Sequence, residues 1–406
     1  MRSNLIIAWR NLWRNKRRTL ITVASIFFGV LISTVMSSMQ EGSYSAMIDN
    51  VVKFYSGYIQ IQNEKYWDNK TINNTFVPTD SLEGIIKSIP EITNYTPRLE
   101  FFALASSEEI TKGSIIIGID PVRENEVTEI GKWVTEGTYL HPDDNGLLIG
   151  SELAQYLQLS VGDTLVMIGQ GFHGVSAAGK YPIRGILNFP SPELNKQTIY
   201  MGLQNCQEFF TCEGRITSLV LMIKSQYKLQ KTMKQLRSMI SSPYTVMSWD
   251  EMHPDLLQMI EADRDGGVIM KAILYIIIGF GIFGTITMLI MERKRELGVM
   301  IAVGMQRYKL ATILFFETIY IGFVGVLAGF AASIPVIAYF YNHPIQITGE
   351  AGQTYIEMGF EPYLYFSWLP SVFYNQVITV FLITAFIAIY PMITAERMKI
   401  HVALRA

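Results

Sequence analysis

Four long apolar stretches constrain this chain more than any other feature. Residues 19–39 carry no charged side chain, and residues 371–394 carry none. Residues 270–291 carry only Lys271, and residues 310–340 only Glu317. A helix of about 20 apolar residues crosses the roughly 30 Å of bilayer hydrocarbon, and buried soluble helices rarely run so long without charge. The pattern predicts an α-helical membrane protein with four transmembrane helices, one plus three. A large α+β extracytoplasmic domain, residues 40–269, lies between the first and second. Composition agrees, because 17% charged residues is well below the roughly 25% of soluble domains. Half of the residues are hydrophobic, which excludes a uniformly disordered chain. Two cysteines exclude a disulfide scaffold. A net charge of −2 argues against a basic nucleic-acid binder.

That net charge hides an asymmetry. Segments 1–18, 292–309 and 395–406 together hold 14 basic and 3 acidic residues, whereas 40–269 holds 18 basic and 28 acidic. The loop 341–370 adds Glu350, Glu357 and Glu361 and no Lys or Arg. Basic flanks stay cytoplasmic. Both termini and the 292–309 loop are therefore expected on the cytoplasmic side of a membrane, with the large domain outside. No small-x-small cleavage pattern follows the first span, so it reads as an uncleaved signal-anchor. Leu5, Trp9, Leu12 and Trp13 share a helical face opposite Arg10, Arg14 and Arg17. Two readings stand for segment 1–18: a helix lying in the cytoplasmic interface, or a plain basic flank.

The 40–269 segment reads as strands near 57–62, 114–119, 147–149, 161–168, 181–186, 198–201, 216–223 and 244–247. Helices are expected near 80–90, 151–157 and 227–240, the first capped by Asp80 with Glu83. The strand–helix–strand order at 216–247 predicts a layered subdomain built from both ends of the segment. The middle, about 110–205, reads as a β-rich insertion. Helix is expected to continue outward from the first span to about Asp49, and from Asp255 into the second, as stalks.

Several motifs carry no chemistry. Gly279, Gly281 and Gly284 match a dinucleotide fingerprint but sit inside an apolar span with no strand before them, so close helix packing is the expected role. Gly169, Gly171 and Gly174 follow a strand but precede no amphipathic helix, and a flexible hairpin loop over 169–180 is expected instead. There is no P-loop, no metal-ligand spacing among the five histidines, and no nucleophile elbow. No cofactor or metal is assigned to this chain. Cys206 and Cys212 are read either as a disulfide closing a short loop or as two unrelated buried thiols. Gly325 and Gly329 form a G-x-x-x-G whose role is helix packing or merely incidental. Glu317 costs about 2.5–3.5 kcal/mol at a helix centre and less near the interface. It either pairs with an Arg or a backbone group of a neighbouring helix, or snorkels toward the cytoplasm.

The most informative stretch is 292–305, ERKRELGVMIAVGM. It is a short helix, charged and then apolar, between two spans on the cytoplasmic side. Leu297, Ile301 and Gly304 fall on one face at i, i+4, i+7. An exposed apolar face there is expected to meet a partner's groove or to lie on the lipid surface.

From residue 291 to 329, MERKRELGVMIAVGMQRYKLATILFFETIYIGFVGVLAG resembles the FtsX-like permease core of the MacB/LolC/FtsX (type VII) ABC transporters. The shared features are E-R-x-R-E-[IL]-G, the A-x-G about six residues on, the Glu of the third span and the Gly-rich run after it. The opening AWRNLWRNKRRTLITVASIFFGV and the tail YPMITAERMKIHVALR are similar to that family's ends. EGTYLHPDDNGLLIGSELAQYLQLSVGDTL resembles its periplasmic domain. The resemblance implies mechanotransmission by two permease protomers, as a homodimer or heterodimer, on a cytosolic ABC ATPase dimer that binds ATP and Mg. Glu292, Arg293, Arg295, Glu296 and Gly304 would carry the coupling role by motif position, beside Leu297 and Ile301. No ATPase domain is fused ahead of the permease as in MacB, so the ATPase is expected on a separate chain. Length and layout are nearest the LolC/LolE lipoprotein-releasing permeases. Gly169, Gly171, Phe172 and Gly174 lie where LolC-type proteins carry a chaperone-recruiting hairpin. The implied activity is extraction of lipoproteins or similar amphiphiles. The alternatives are peptide or drug export with an adaptor and outer-membrane duct, and FtsX-like activation of cell-wall hydrolases.

Overall fold

The computed structural model describes residues 2–14, 16–107, 110–358 and 360–398. The final A-L-R of the tail motif lies outside the described residues. In chain order the helices begin with α1 (Arg2–Arg14), α2 (Lys16–Val51), α3 (Asp80–Ser88), α4 (Pro121–Thr128) and α5 (Ser151–Leu157). They continue with α6 (Pro192–Gln197), α7 (Leu203–Phe209), α8 (Leu229–Met239), α9 (Trp249–Met252) and α10 (Pro254–Glu292). The last are α11 (Lys294–Ala302), α12 (Arg307–Asn342), α13 (Glu350–Glu357), α14 (Pro370–Ile387) and α15 (Ile389–Glu396). The principal strands are β1 (Ile59–Asn63), β2 (Ile92–Ser106), β3 (Thr111–Ile119), β4 (Val134–Gly137) and β5 (Leu147–Gly150). They continue with β6 (Thr164–Gln170), β7 (Ser176–Leu187), β8 (Thr198–Gly202), β9 (Ser218–Ile223) and β10 (Tyr244–Ser248).

The chain divides into two units. A helical unit comprises the described parts of Met1–Ala46, Met259–Gln346 and Tyr363–Ala406, and a strand-rich unit comprises Met47–Gln258 and Ile347–Pro362.

In the strand-rich unit all ten strands join one sheet, in the order β10-β1-β9-β2-β3-β8-β5-β7-β4, with β6 paired to β2 and β7. β2 unites it: Ile92–Arg98 pair with β9, Arg98–Ser106 with β3, and Ala103–Ser106 with β6. The strands within 110–205 thus continue the sheet built by the two ends of the segment and do not form a sheet of their own. Side chains alternate across a strand, and both faces are covered. Ile116, Leu147, Ile149, Ile199 and Met201 enter one core, while Ile117, Leu148 and Tyr200 enter another. This explains why β5 and β8 read as unbroken apolar runs. Helix α8 buries Leu229, Thr232, Met233 and Leu236, the i, i+3, i+4, i+7 face. Helix α3 is capped by Thr79, whose hydroxyl accepts from the Leu82 N–H. Asp80 is its first residue and not its cap, since a cap sits before the first helical turn.

In the helical unit, four helical stretches are long and apolar enough to cross a membrane: Thr19–Val51, Pro254–Glu292, Arg307–Asn342 and Pro370–Glu396. Helix α10 has 39 residues, about 58 Å at 1.5 Å per residue, well beyond the hydrocarbon thickness. Ile278, Ile282, Ile286 and Ile290 recur every four residues and form its inward stripe. Gly325 and Gly329 let α12 approach α2. A Cβ at Gly325 would lie 2.7 Å from the Ile26 Cβ, and one at Gly329 would lie 2.7 Å from the Phe27 carbonyl oxygen. The packing role therefore falls on Gly325 and Gly329. Of the three glycines expected to allow close packing, a Cβ at Gly279 would lie 3.6 Å from Ile383 Cγ2 of α14, whereas Gly281 and Gly284 have no neighbour within 4 Å of their Cβ positions among the described residues.

Candidate functional site

The 292–305 segment is built from three short pieces. Glu292 ends α10, Arg293 lies at a break, and α11 follows. Arg293 turns inward, 3% exposed, and its Nη1 donates to Glu317 Oε1 at 2.5 Å, with Glu317 4% exposed on α12. This resolves the two readings of Glu317 in favour of an arginine partner from a neighbouring element. The Arg293 Nε is 3.7 Å from Glu296 Oε2. Glu296 is exposed and accepts from Arg14 Nη2 of α1 at 2.5 Å. Arg14, which sequence reasoning did not place in the site, therefore ties α1 to α11. Nothing in the spacing announces a contact between residues 282 apart.

Leu297 and Ile301 turn inward as well, packed with Ile290, Leu310 and Leu314. The expectation that they form an exposed docking face is corrected: their face is the one α11 uses to sit on its own helices. The outward face consists of Glu292, Arg295, Glu296, Val299 and Val303, with Val303 84% exposed. Gly304 does not continue the Leu297–Ile301 stripe. Its φ is +105°, and it lies past the end of α11. Its N–H bonds to the Ile301 carbonyl, and the Met305 N–H bonds to the Met300 carbonyl. This is a Schellman closure with glycine at the left-handed position. A glycine just after the last periodic residue was the sequence signal for it. Beside α11 lies a cavity of about 410 Å³ lined by Ile290, Met291, Lys294, Ile393, Thr394, Arg397 and Met398.

The strand-rich unit holds the other predicted positions. Gly169 closes β6 near its end, and only 171–175 turn before β7 begins. Phe172 N–H donates to the Phe210 carbonyl at 2.8 Å, His173 N–H to Asn73 Oδ1 at 2.8 Å, and the Arg215 guanidinium stacks 4.7 Å over the Phe172 ring. A Cβ at Gly171 would lie 2.5 Å from the Phe210 carbonyl oxygen. The expected flexible loop is thus a pinned turn between two paired strands. Cys206 and Cys212 are free thiols buried in one core. Burial pushes the Cys206 thiol well up and the Cys212 thiol up to about 11.

A charge cluster unforeseen from the sequence sits in the same unit. Arg98 of β2, fully buried, donates through Nε and Nη2 to the two Glu124 oxygens at 3.0 and 2.5 Å, and through Nη1 to the Tyr55 carbonyl. Thr128 donates to Glu124 Oε1 at 3.0 Å, and the Tyr55 hydroxyl donates to Glu100 Oε2 at 2.7 Å. Burial, then Glu100, pushes the Tyr55 phenol well above its usual range, which keeps it a donor.

The family follows from this layout. Residues 19–239 match the MacB-like periplasmic core domain and residues 268–400 the FtsX-like permease C-terminal domain. The first match alone covers more than half of the chain, and the chain belongs to this family. It is an ABC transporter permease of the LolC/LolE/MacB/FtsX type. Its four long apolar helices and periplasmic-type α/β domain fit an inner-membrane permease. The lipoprotein-releasing system transmembrane protein LolC of Xylella fastidiosa (strain 9a5c) is 20% identical over 250 residues, 59% of either chain. The LolC of Buchnera aphidicola subsp. Schizaphis graminum (strain Sg) is 22% identical over 349 residues, 82% of this chain and 83% of that one. The match thus spans about three-fifths of the length of the first of these relatives. Among solved structures, the periplasmic region of MacB from Actinobacillus actinomycetemcomitans aligns at a TM-score of 0.35 and 13% identity, over 53% of this chain and 97% of that one.

Proposed function

We propose that the chain takes mechanical work from a cytosolic ATPase through α11 and passes it along α2 and α10 to a periplasmic domain. Both termini and α11 would then lie in the cytoplasm, as the basic flanks favour. Two such permeases would stand on an ATPase dimer, and the cargo would be a lipoprotein or similar amphiphile drawn from the outer leaflet. The reading rests on one observation above the rest: α11 is two-faced. Leu297 and Ile301 seat it on the helical unit, Arg293 locks its root to Glu317, and Val299 and Val303 remain outward on a braced, capped helix. A braced helix with an outward apolar patch can transmit force to a groove on a partner. The LolC and LolE names of the relatives favour the lipoprotein cargo.

The test uses the outward residues. Replacing Val299 and Val303 by Asp should leave stability within about 0.5 kcal/mol, as exposed substitutions do, yet abolish co-purification with the proposed partner ABC ATPase. Unchanged binding and ATPase stimulation would overturn the coupling role. Cross-linking from the periplasmic domain should recover a lipoprotein. Recovery of a hexameric adaptor would move the reading to peptide or drug export, and recovery of a cell-wall hydrolase to signalling.

A further inference from the structure

A cavity of about 490 Å³ lies in the helical unit, walled by Trp9, Leu12 and Trp13 of α1, Leu20 and Val23 of α2, and Val324 of α12. The α1 wall is held in place by the edge-to-face contact of Trp9 with Tyr320, ring centroids 5.6 Å apart, and by the burial of Ala8 and Leu12. Trp9 and Trp13 nevertheless stay substantially exposed, Trp13 at 58%. Lys16 and Arg17 line the same cavity from the first turn of α2, and both are exposed. The other polar side chain in the lining, Thr19, donates its hydroxyl to the Leu12 carbonyl at 2.9 Å. The groove is therefore apolar inside and cationic at one end.

The charge at that end has no internal answer. Residues 1–18 contain six basic residues and no acid. Arg14 is committed to Glu296. Among the described residues no carboxylate pairs with Lys16 or Arg17. The first backbone N–H groups of α2 lie at the same end, where a helix favours negative charge. An occupant must bring an apolar tail and an anionic head. A free anion would leave the groove unfilled, and a neutral lipid would leave the cations unanswered.

We propose that this groove is a binding site for an anionic glycerophospholipid, one acyl chain between α1, α2 and Val324 and its phosphate on Lys16 and Arg17. Tryptophans at headgroup level and a basic pocket between spans are the expected surroundings of such a lipid. The lipid completes the wall that α1 forms, and α1 carries Arg14 to Glu296 on α11. The site thus makes the geometry of α11 sensitive to lipid charge.

The experiment needs no ATPase, so its failure is distinct from failure of the transport reading. The full chain in mild detergent is exchanged into equimolar phosphatidylglycerol and phosphatidylcholine, and retained lipid is quantified by mass spectrometry. Phosphatidylglycerol should be enriched about tenfold, and the joint change of Lys16→Gln with Arg17→Gln should remove that preference. Val324→Phe, which fills the groove, should lower retention of the lipid with both cations intact. If Val324→Phe fails to fold, the exposed Lys16 and Arg17 changes still decide. Equal retention of the two lipids, or a preference that survives loss of both cations, overturns the proposal. So does displacement by inorganic phosphate alone, which would mean an anion site without a tail, or Trp13→Cys cross-linking between two copies across the groove.

Discussion

Two buried arginine–glutamate pairs, one in each unit, are made from the same residue types and differ in how completely they are satisfied. Arg98 reaches both oxygens of Glu124, and Glu124 also accepts from Thr128. Arg293 reaches one oxygen of Glu317. Among the described residues, Glu317 Oε2 and Arg293 Nε make no hydrogen bond of good geometry. A buried pair returns its desolvation cost only when every lone pair and proton finds a partner. The first pair is therefore a fixed brace between β2 and α4. The second joins the root of α11 to α12 by one hydrogen bond, beside the packing of Leu297 and Ile301 with Leu310 and Leu314. Arg98 and Glu124 are held by several partners, whereas the Arg293–Glu317 pair keeps one hydrogen bond and, under the proposed coupling, would be the contact free to change.

The comparison can be broken most readily at the brace. Arg98→Met leaves Glu124 buried without its cation and should cost about 3–5 kcal/mol of stability in thermal or denaturant unfolding of the full chain. Adding Glu124→Leu should recover much of that loss, because the uncompensated charge is gone. A cost under about 1 kcal/mol for the single change would mean that the pair is no brace. At the joint, Arg293→Met should lower stimulation of the partner ATPase about tenfold, within the usual range of coupling energies. Its effect on unfolding should be smaller than that of Arg98→Met. A stability loss as large as at Arg98 with coupling intact would erase the distinction between brace and joint.

The smallest effect is expected at a half-exposed pair with the same residue types. Glu251 accepts from Arg237 Nη2 at 2.6 and 2.7 Å and from the Ser248 N–H at 3.0 Å. Burial raises its carboxyl, but the bonds from Arg237 and Ser248 outweigh that and leave it below the usual carboxylate range. A depressed folded value stabilises above the unfolded value and is lost as pH falls through the folded one. The unfolding curve of the full chain should therefore show a contribution under about 1 kcal/mol near neutral pH, since both side chains are 40% or more exposed. That contribution fades in acid, and Glu251→Gln should flatten it. A larger acid loss that persists in the variant would place the titration elsewhere.

Legibility followed the range of the interaction. The apolar stretches, the helix at 227–240 and the short apolar runs of β5 and β8 were readable because hydrophobic pattern is a local property. The inward turn of Leu297 and Ile301 was half legible. Their spacing announces an apolar face, but not whether the chain's own helices or a partner covers it. Gly304 was misassigned because a stripe at i+7 and a left-handed cap present the same residue at the same spacing, and only φ separates them. The continuity of the sheet through 110–205 was hidden because it depends on β2 pairing with three strands far away in sequence.

By itself the sequence determined the four apolar helices, the charge asymmetry across them and the family, because length, hydropathy and short motifs are carried residue by residue. Only the tertiary structure decided that Arg293 belongs to Glu317, Arg14 to Glu296 and Arg98 to Glu124, and that Cys206 and Cys212 share one core. Those partners lie from 24 to 282 positions apart in the chain. A side chain's partner is selected by which elements pack together and how much water they exclude, and neither is a property of the local sequence.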